Sequence, residues 1–353
     1  MATIYAIRGL LLEEILLNLL SASGYLIVEK SSDDITLETR SPGVLEVKGR
    51  GSNHQIDAIA SFSISPPFSY PVRLLLEAKF YNKKVGIDIV RNAVGVLKDV
   101  SEFSAVVNNK IFKPKYHYQY AIFTSSSFTK QAQEYAFAQD IYLIKLENNQ
   151  YFYPVIEALK NLSYTDFSGE NDKNIEIDLS GLRKNIRSSL KGNGKQGISR
   201  YCSRYNFNTE NICDIIDLNL ELHNSYLGVL CNRFPIFLTA SRDFNIEYLI
   251  QNPTIRIYRD NNKWYIVKNN EEYLNLDERD IIFSFDLPVD LFKLYADNKM
   301  LSKNRALDLK QEFMNSIQII FKGRDRDRNI MSSLELKLDN DWLNGMRASL
   351  DNR

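Results

Sequence analysis

V-R-L-L-L-E-A-K-F, running from Val72 to Phe80, is the stretch on which the reading of this chain turns. Hydrophobes around a single arginine lead into Glu77, and Lys79 follows two positions later. A short, largely aliphatic run closed off upstream by Pro66 and Pro67 reads as a buried-type β-strand. Side chains alternate along a strand, so Glu77 and Lys79 share a face. A carboxylate and an ammonium at the end of a buried strand are costly unless they are paired or bound to something. Taken alone, they read as a salt-bridged pair.

Upstream, Gln55–Ile64 reads as extended chain and contains Asp57. An antiparallel hairpin with its turn centred on Pro67 sets Asp57 directly opposite Glu77, with Cβ atoms about 5 Å apart. Two carboxylates at that spacing repel, and a divalent cation using both as oxygen ligands relieves the repulsion. With such a cation the pair can act on a phosphate. Lys79 is then placed to hold or deprotonate the attacking water and to offset charge in the transition state. Asp57 taken alone would cap the turn after the glycines.

Outward from this hairpin the pattern is α/β. A helix is expected over Ile7–Ala22, with Leu12, Ile15, Leu16, Leu19 and Leu20 at helical spacing and Gly24 ending it. Tyr25–Glu29 reads as a strand, Lys30–Arg40 as a polar stretch and Leu45–Lys48 as a short strand; Gly49, Gly51, Ser52 and Asn53 form a turn. After Phe80 come a helix over Ile87–Glu102, a strand over Tyr120–Thr124, a helix over Thr129–Gln139 and a strand over Ile141–Leu146. Strand, helix and strand again imply a parallel crossover at the end of a mixed sheet flanked by helices.

Asp57 followed by Glu77-Ala78-Lys79 after a hydrophobic strand resembles the D…(D/E)-x-K core of the restriction-endonuclease-like nucleases. Three further segments resemble the Mrr-like branch of that superfamily. Leu12-Glu13-Glu14-Ile15 through Gly24-Tyr25 is similar to its first helix, whose acidic residue reaches the active site; counted back from Gly24-Tyr25, Glu13 takes that place better than Glu14. Gly49–Asp57 (GRGSNHQID) resembles the glycine-rich approach to the first acid, and Ala121–Ala132 (AIFTSSSFTKQA) the strand-to-helix turn after the core. The resemblance covers Ile7 to Leu146. One departure is that Ile56, not proline, precedes Asp57; and Glu77 stands where many Mrr-like members carry glutamine.

The resemblance implies catalytic roles for Glu13, Asp57, Glu77 and Lys79. The metal, Mg²⁺ or Mn²⁺, would be held by Asp57, Glu77 and the Ala78 carbonyl, with Glu13 as a further candidate. Lys48, Arg50, His54, Gln55, Lys83, Lys84 and Arg91 flank the site and are candidate contacts to DNA; each also reads as an ordinary solvated or turn residue. Ser125–Ser127 and Thr129 read first as helix-capping residues and second as phosphate ligands.

Tyr164–Asn174 is polar and poor in large aliphatics, which places a domain boundary there, between a nuclease-like domain over 1–163 and an α+β domain over 175–353. The second half is expected to open with a helix over Leu182–Leu190. Gly192–Gly197 matches a bare GxGxxG but follows a helical segment, so it reads as a loop and not a dinucleotide site. Strands are expected over Leu227–Leu230, Pro235–Thr239, Thr254–Tyr258 and Trp264–Val267, the last two joined by a turn at Asp260–Asn262. Helices are expected over Leu287–Tyr295 and Ser302–Gln318. Arg324, Arg326 and Arg328 alternate with Asp325 and Asp327 and read as a self-neutralising surface loop.

The composition narrows the chemistry. Lys plus Arg and Asp plus Glu both number 44, which argues against coating nucleic acid by charge alone, so phosphate contacts need a local patch. Cys202, Cys213 and Cys231 are scattered without a CxxC pair, and His54, His117 and His223 lack ligand spacing. A disulfide framework and a structural zinc site are thereby disfavoured, leaving carboxylates and hard cations. No signal peptide is legible, and the apolar run Leu10–Leu20 is too short and too interrupted to cross a bilayer, so the cytoplasm is the expected compartment.

The reading that results is a metal-dependent endodeoxyribonuclease in a prokaryotic restriction or anti-phage setting. Its second domain would sense a trigger, choose the target or drive assembly, in a homodimer or with a partner protein. Its rivals are a non-cleaving DNA-binding sensor or scaffold with the same fold, and a repair or junction-resolving nuclease.

Overall fold

The structure, a computed structural model, describes all residues except 33, 42–43, 63–64, 66–67, 104–114, 148–151, 222–224, 231–233, 242–243, 261–262, 270–279, 288–302, 326–327 and 352–353. The chain divides into two compact units, Met1–His223 and Asn224–Arg353.

The first unit begins with α1 (Ile4–Ala22), then β1 (Tyr25–Ile27), β2 (Leu37–Ser41), β3 (Val44–Lys48), β4 (Asn53–Gln55), β5 (Ala58–Phe62) and β6 (Val72–Lys79). There follow α2 (Ile87–Ser101), β7 (His117–Thr124), α3 (Lys130–Ala138), β8 (Ile141–Lys145) and α4 (Phe152–Asn161). A 3₁₀ turn (Tyr164–Phe167) leads to α5 (Leu179–Leu190), α6 (Gln196–Tyr205) and α7 (Thr209–Glu221). The main sheet has the order β1-β5-β6-β7-β8. Its β1, β5 and β6 run antiparallel, whereas β6, β7 and β8 run parallel through α2 and α3, the mixed sheet and crossover expected from the sequence. A second, three-stranded sheet is built from β2, β3 and β4.

Leu75 of β6 shares a cluster with Ile59, Tyr120 and Ile122 of its neighbours, with Val90, Ala93 and Val96 of α2, and with Ala132 and Ala136 of α3. The same cluster takes in Leu37, Leu45 and Val47, so the small sheet closes over this side too. Helix α1 packs on β1, β5 and β6, and also touches α4 and α5. It is buried nearly all round, Leu10, Leu11, Leu12, Ile15, Leu16, Leu19 and Leu20 included, as a helix enclosed by other elements must be.

Two expectations are corrected by these strands. The polar stretch Lys30–Arg40 contains most of β2, in which Leu37 is buried. The extended run expected over Gln55–Ile64 takes in the last residue of β4 and then β5, strands of different sheets, with a break at Ile56–Asp57; residues 63 and 64 lie outside the described residues.

The expected domain boundary at Tyr164–Asn174 falls inside the first unit. Its polar residues are used internally and do not form a solvated linker. Asp166 caps the 3₁₀ turn and accepts from Asn208 Nδ2 and Asn211 Nδ2 at 3.1 and 2.8 Å. Just past that stretch, Ile175 and Ala2 exchange backbone hydrogen bonds of 2.8 and 3.0 Å, while Ile4 N–H reaches Asp172 O at 2.9 Å. The GxGxxG stretch is the expected loop only through Lys195, with Gly192 and Gly194 at φ +85° and +74°; Gln196 and Gly197 already open α6.

The second unit is a closed barrel with helices. Its elements are β9 (Ser225–Leu230), β10 (Phe234–Ala240), α8 (Ile246–Gln251), β11 (Thr254–Asp260), β12 (Lys263–Lys268), β13 (Ile281–Phe285), α9 (Lys303–Phe313), β14 (Ser316–Asp325), β15 (Arg328–Leu338) and α10 (Asn340–Asp351). The strands close in the order β10-β13-β12-β11-β15-β14-β9, around a core that includes Leu238, Ile257, Ile266, Phe283, Ile317, Ile319 and Leu336. The four expected strands are present, and Asp260 pairs with Lys263; residues 261 and 262 of the expected turn lie outside the described residues. The helix expected over Ser302–Gln318 ends at Phe313, because Ile317 and Ile319 alternate into the barrel and the period-2 pattern wins from Ser316 onward. Arg324 and Asp325 belong to β14 and Arg328 to β15, paired across a ladder instead of lying in a loop. All but Leu287 of the helix expected over Leu287–Tyr295 lies outside the described residues. Among the described residues no helix is long and apolar enough to cross a membrane.

Candidate active site

Pairing of β5 with β6 sets Ala58 against Leu76, Ile59 against Leu75, Ala60 against Leu74 and Ser61 against Arg73. Continued one step, this register brings Asp57 opposite Glu77, as a turn centred on Pro67 requires; residues 66 and 67 themselves lie outside the described residues. Asp57 stands where the chain leaves the small sheet for the main one, so its side chain is released from the ladder. Its Oδ2 accepts from Ala78 N–H at 2.8 Å.

On β6, Lys79 Nζ lies 2.5 Å from Glu77 Oε1, and Tyr120 of β7 donates its hydroxyl to Glu77 Oε2 at 2.9 Å. The side chains of Glu77 and Lys79 keep 15% and 19% exposure, so the strand end is open to solvent on one side. Burial raises the Asp57 carboxyl above the usual range, against the pull of the Ala78 N–H and Lys79, while Glu77 adds to the rise. Burial also opposes the Lys79 ammonium, but the Glu77 carboxylate overrides it and holds the lysine pKa above its ordinary value.

From α1, Glu13 joins this field. Burial first, and the charge of Asp57 second, push its carboxyl up to about 7, although Arg183 of α5 pulls the other way with a 2.6 Å contact to Oε2. Glu14 is turned elsewhere: fully buried, it accepts from Arg183 and Arg187. The structure thus brings Glu13, Asp57, Glu77 and Lys79 into one electrostatic cluster. Sequence reasoning does not reach Tyr120; a tyrosine opening a buried strand is visible, but its reach to Glu77 depends on the parallel register.

The candidate DNA contacts are less gathered. Lys83, Lys84 and Arg91 are exposed, Arg91 beside Asp88 at 3.4 Å, and Lys48 is half-buried on β3. Arg50 pairs with Glu102 at 3.0 Å, and Gln55 accepts from Arg40 at 3.3 Å. His54 is held 2.7 Å from Asp99 of α2, which also accepts from the N–H groups of Gly51 and Ser52. A Cβ on Gly49 would lie 1.9 Å from Asp99 Oδ2, which explains a glycine at this close approach. Gly49–His54 is therefore a clasp between the small sheet and α2.

The serines after β7 are likewise internal. Ser125 Oγ bridges Tyr81 N–H and C=O, Ser126 donates to Lys83 O at 2.8 Å, and Thr129 caps α3 by accepting from Ala132 N–H. Arg73, the one charge within the hydrophobic run, is satisfied at the far end of β6 by Asp34 at 2.6 Å, Thr36 at 3.0 Å and the Tyr116 ring.

A mixed five-stranded sheet flanked by helices, with an aspartate and an E-x-K triplet at one end of adjacent antiparallel strands, defines a restriction-endonuclease-like domain. Residues 4–149 match the restriction endonuclease family in its Mrr catalytic form, so the similarity covers the segment that holds the main sheet and the candidate site. Two solved structures are similar in part. One is a protein of unknown function, AF1548, at 15% identity and a TM-score of 0.32, covering 61% of this chain and 97% of that one. The other is the MspJI restriction endonuclease in complex with a 27-mer oligonucleotide, at 15% identity and a TM-score of 0.24, covering 56% of this chain and 33% of that one. No curated protein matches the chain.

Proposed function

We propose that the first unit is a Mg²⁺- or Mn²⁺-dependent endodeoxyribonuclease with Asp57, Glu77 and Lys79 as its working groups and Glu13 in support. The observation that carries this reading is the placement of Asp57 on the Ala78 N–H, beside the Glu77–Lys79 pair, inside a segment that matches the restriction endonuclease family.

The donor set suits a hard cation. Among the described residues no group of three or more His, Cys, Asp or Glu side chains is gathered as a ligand shell. Mg²⁺, however, is ordinarily held by one or two carboxylates, its other positions filled by water and phosphate oxygens. Asp57 and Glu77 would supply the carboxylates. Ladder pairing of β5 with β6 ends at Ala58, so the Ala78 backbone faces Asp57 and not a strand partner, and its carbonyl is a third oxygen on that side. When bound, the cation polarises a phosphate and acidifies a water. Lys79, kept an ammonium by Glu77, would donate to the attacking water, and its charge would oppose the negative charge that builds on the phosphate. Tyr120 keeps the second Glu77 oxygen fixed, and Glu13 adds a carboxylate next to Asp57.

Exposed Lys83, Lys84 and Arg91 remain proposed contacts to the DNA backbone. His54 and Arg50 are given to Asp99 and Glu102 in this structure and serve first to hold the clasp. A restriction or anti-phage setting is proposed from the family match alone. Target choice, sensing or assembly is proposed for the barrel, and a homodimer because cutting both strands takes two sites.

The purified chain should nick supercoiled plasmid with Mg²⁺ or Mn²⁺, stop on chelation, and lose at least about 100-fold in rate on Lys79→Ala, the scale of one transition-state charge contact. Equal behaviour of wild type and Lys79→Ala across metals and DNA forms would sink the nuclease reading.

A further inference from the structure

The candidate site does not end with the family segment. Helix α5 begins at Leu179, thirty residues past the last matched position, and sends Arg183 back to α1. One guanidinium spans two consecutive acids: Nη2 meets Glu13 Oε2 at 2.6 Å, and Nη1 meets Glu14 Oε1 at 2.9 Å. Glu14 is held in turn by Arg187, through Nε to Oε2 at 2.6 Å and Nη2 to Oε1 at 2.7 Å. The Glu14 side chain has no exposure and Arg183 only 16%.

We propose that Arg183 is a positioning residue of the nuclease site, acting through Glu13 and making the site depend on a helix outside the catalytic segment. The inference rests on the nuclease reading above. The planar guanidinium cannot turn without breaking its bond to Glu14, and Glu14 cannot shift without breaking its fork to Arg187. The nitrogen left over therefore presents a fixed donor to Glu13 and aims that carboxylate at the Asp57 side. Arg183 also places a second positive charge near a cluster of three carboxylates and one lysine, and its field reaches Asp57. Arg187 is the contrasting case, since its ion pairs are to Glu14 and Glu29 and fasten α5 without touching Glu13.

A double-mutant cycle on the full chain separates positioning from mere fastening. Plasmid nicking is followed with Mg²⁺ for wild type, Glu13→Gln, Arg183→Ala and the double variant, with circular-dichroism melting of each. Loss of an outer partner of a working ligand lowers activity about 10- to 100-fold. Arg183→Ala and Glu13→Gln should each fall in that range, with the double variant no slower than Glu13→Gln, because Arg183 has nothing left to position. Arg183→Lys, which keeps the charge but loses the planar fork that fixes the direction of the donor to Glu13, should lose most of the same factor, and it carries the same cycle if Arg183→Ala melts below the assay temperature. Losses that multiply in the double variant, or an Arg183→Ala rate equal to wild type, overturn this inference and leave the nuclease reading standing. Absence of cleavage by wild type overturns both.

Discussion

At Glu77 three chemistries meet on one carboxylate: an ammonium at 2.5 Å, a phenol at 2.9 Å and an opposing aspartate across the hairpin. Burial, and then the charge of Glu77, raise the Tyr120 phenol far above its ordinary value, so it stays a donor throughout any working pH range. Tyr120→Phe removes that donor and leaves the ring. It should slow nicking about tenfold, as other losses of an outer partner do, and cost about 1.5–3 kcal/mol of stability for a hydrogen bond to a charged group. The rate and a urea titration by circular dichroism read the two effects separately; an unchanged rate would remove Tyr120 from the site.

Helices α1 and α5 meet through charge as well as through leucine. A fully buried carboxylate with two arginine partners costs little while all three are present and a great deal when one is removed. Arg187→Ala should therefore destabilise the first unit by about 3–5 kcal/mol, whereas an exposed ion pair such as Lys160–Glu157 should matter by less than about 1 kcal/mol. Far-UV circular dichroism in a urea titration compares the two; equal small effects would mean that α5 is held by its apolar face alone. The same element scale explains why part of the site was legible and part was not. Strand alternation and hairpin register are short-range rules, and they sufficed to join Asp57, Glu77 and Lys79. Arg183 lies 170 residues from Glu13, and no local period announces it.

Across the whole chain, the two compact units can be read by different probes. Both tryptophans, Trp264 and Trp342, belong to the barrel unit, so their fluorescence reports its unfolding alone. That unit holds a buried lysine, Lys310, 4.9 Å from the Trp342 ring and 5.9 Å from that of Tyr258. Burial lowers its pKa from 10.5 to about 8. With the folded value depressed, the unfolded state binds more protons between about 8 and 10.5, so stability rises with pH through that window and is lowest below it. Lys310→Met should stabilise the barrel by roughly 2–4 kcal/mol at pH 7, the advantage fading as pH approaches 10.5. Tryptophan fluorescence in urea at several pH values measures it, and a pH-independent difference would contradict a lysine pKa depressed by folding.

Periodicity and turn chemistry by themselves determined the first helix, the strands and crossover helices of the main sheet and the three residues on its hairpin, though not β2 and β4 of the small sheet, because each rests on neighbours close in sequence. They also marked four barrel strands and the loop at Gly192–Lys195. Tertiary structure alone decided the rest. Polar residues over 164–174 have the composition of a linker, yet they cap a turn and bind Asn208 and Asn211, with the backbone beside them pinned to Ala2 and Ile4. The barrel took Ile317 and Ile319 out of a helical run because closure rewarded an alternating face. Which of two adjacent glutamates faces Asp57, and which is locked beneath α5, followed only when two arginines from a distant helix were in place; charge pairing across such a separation leaves no trace in local sequence.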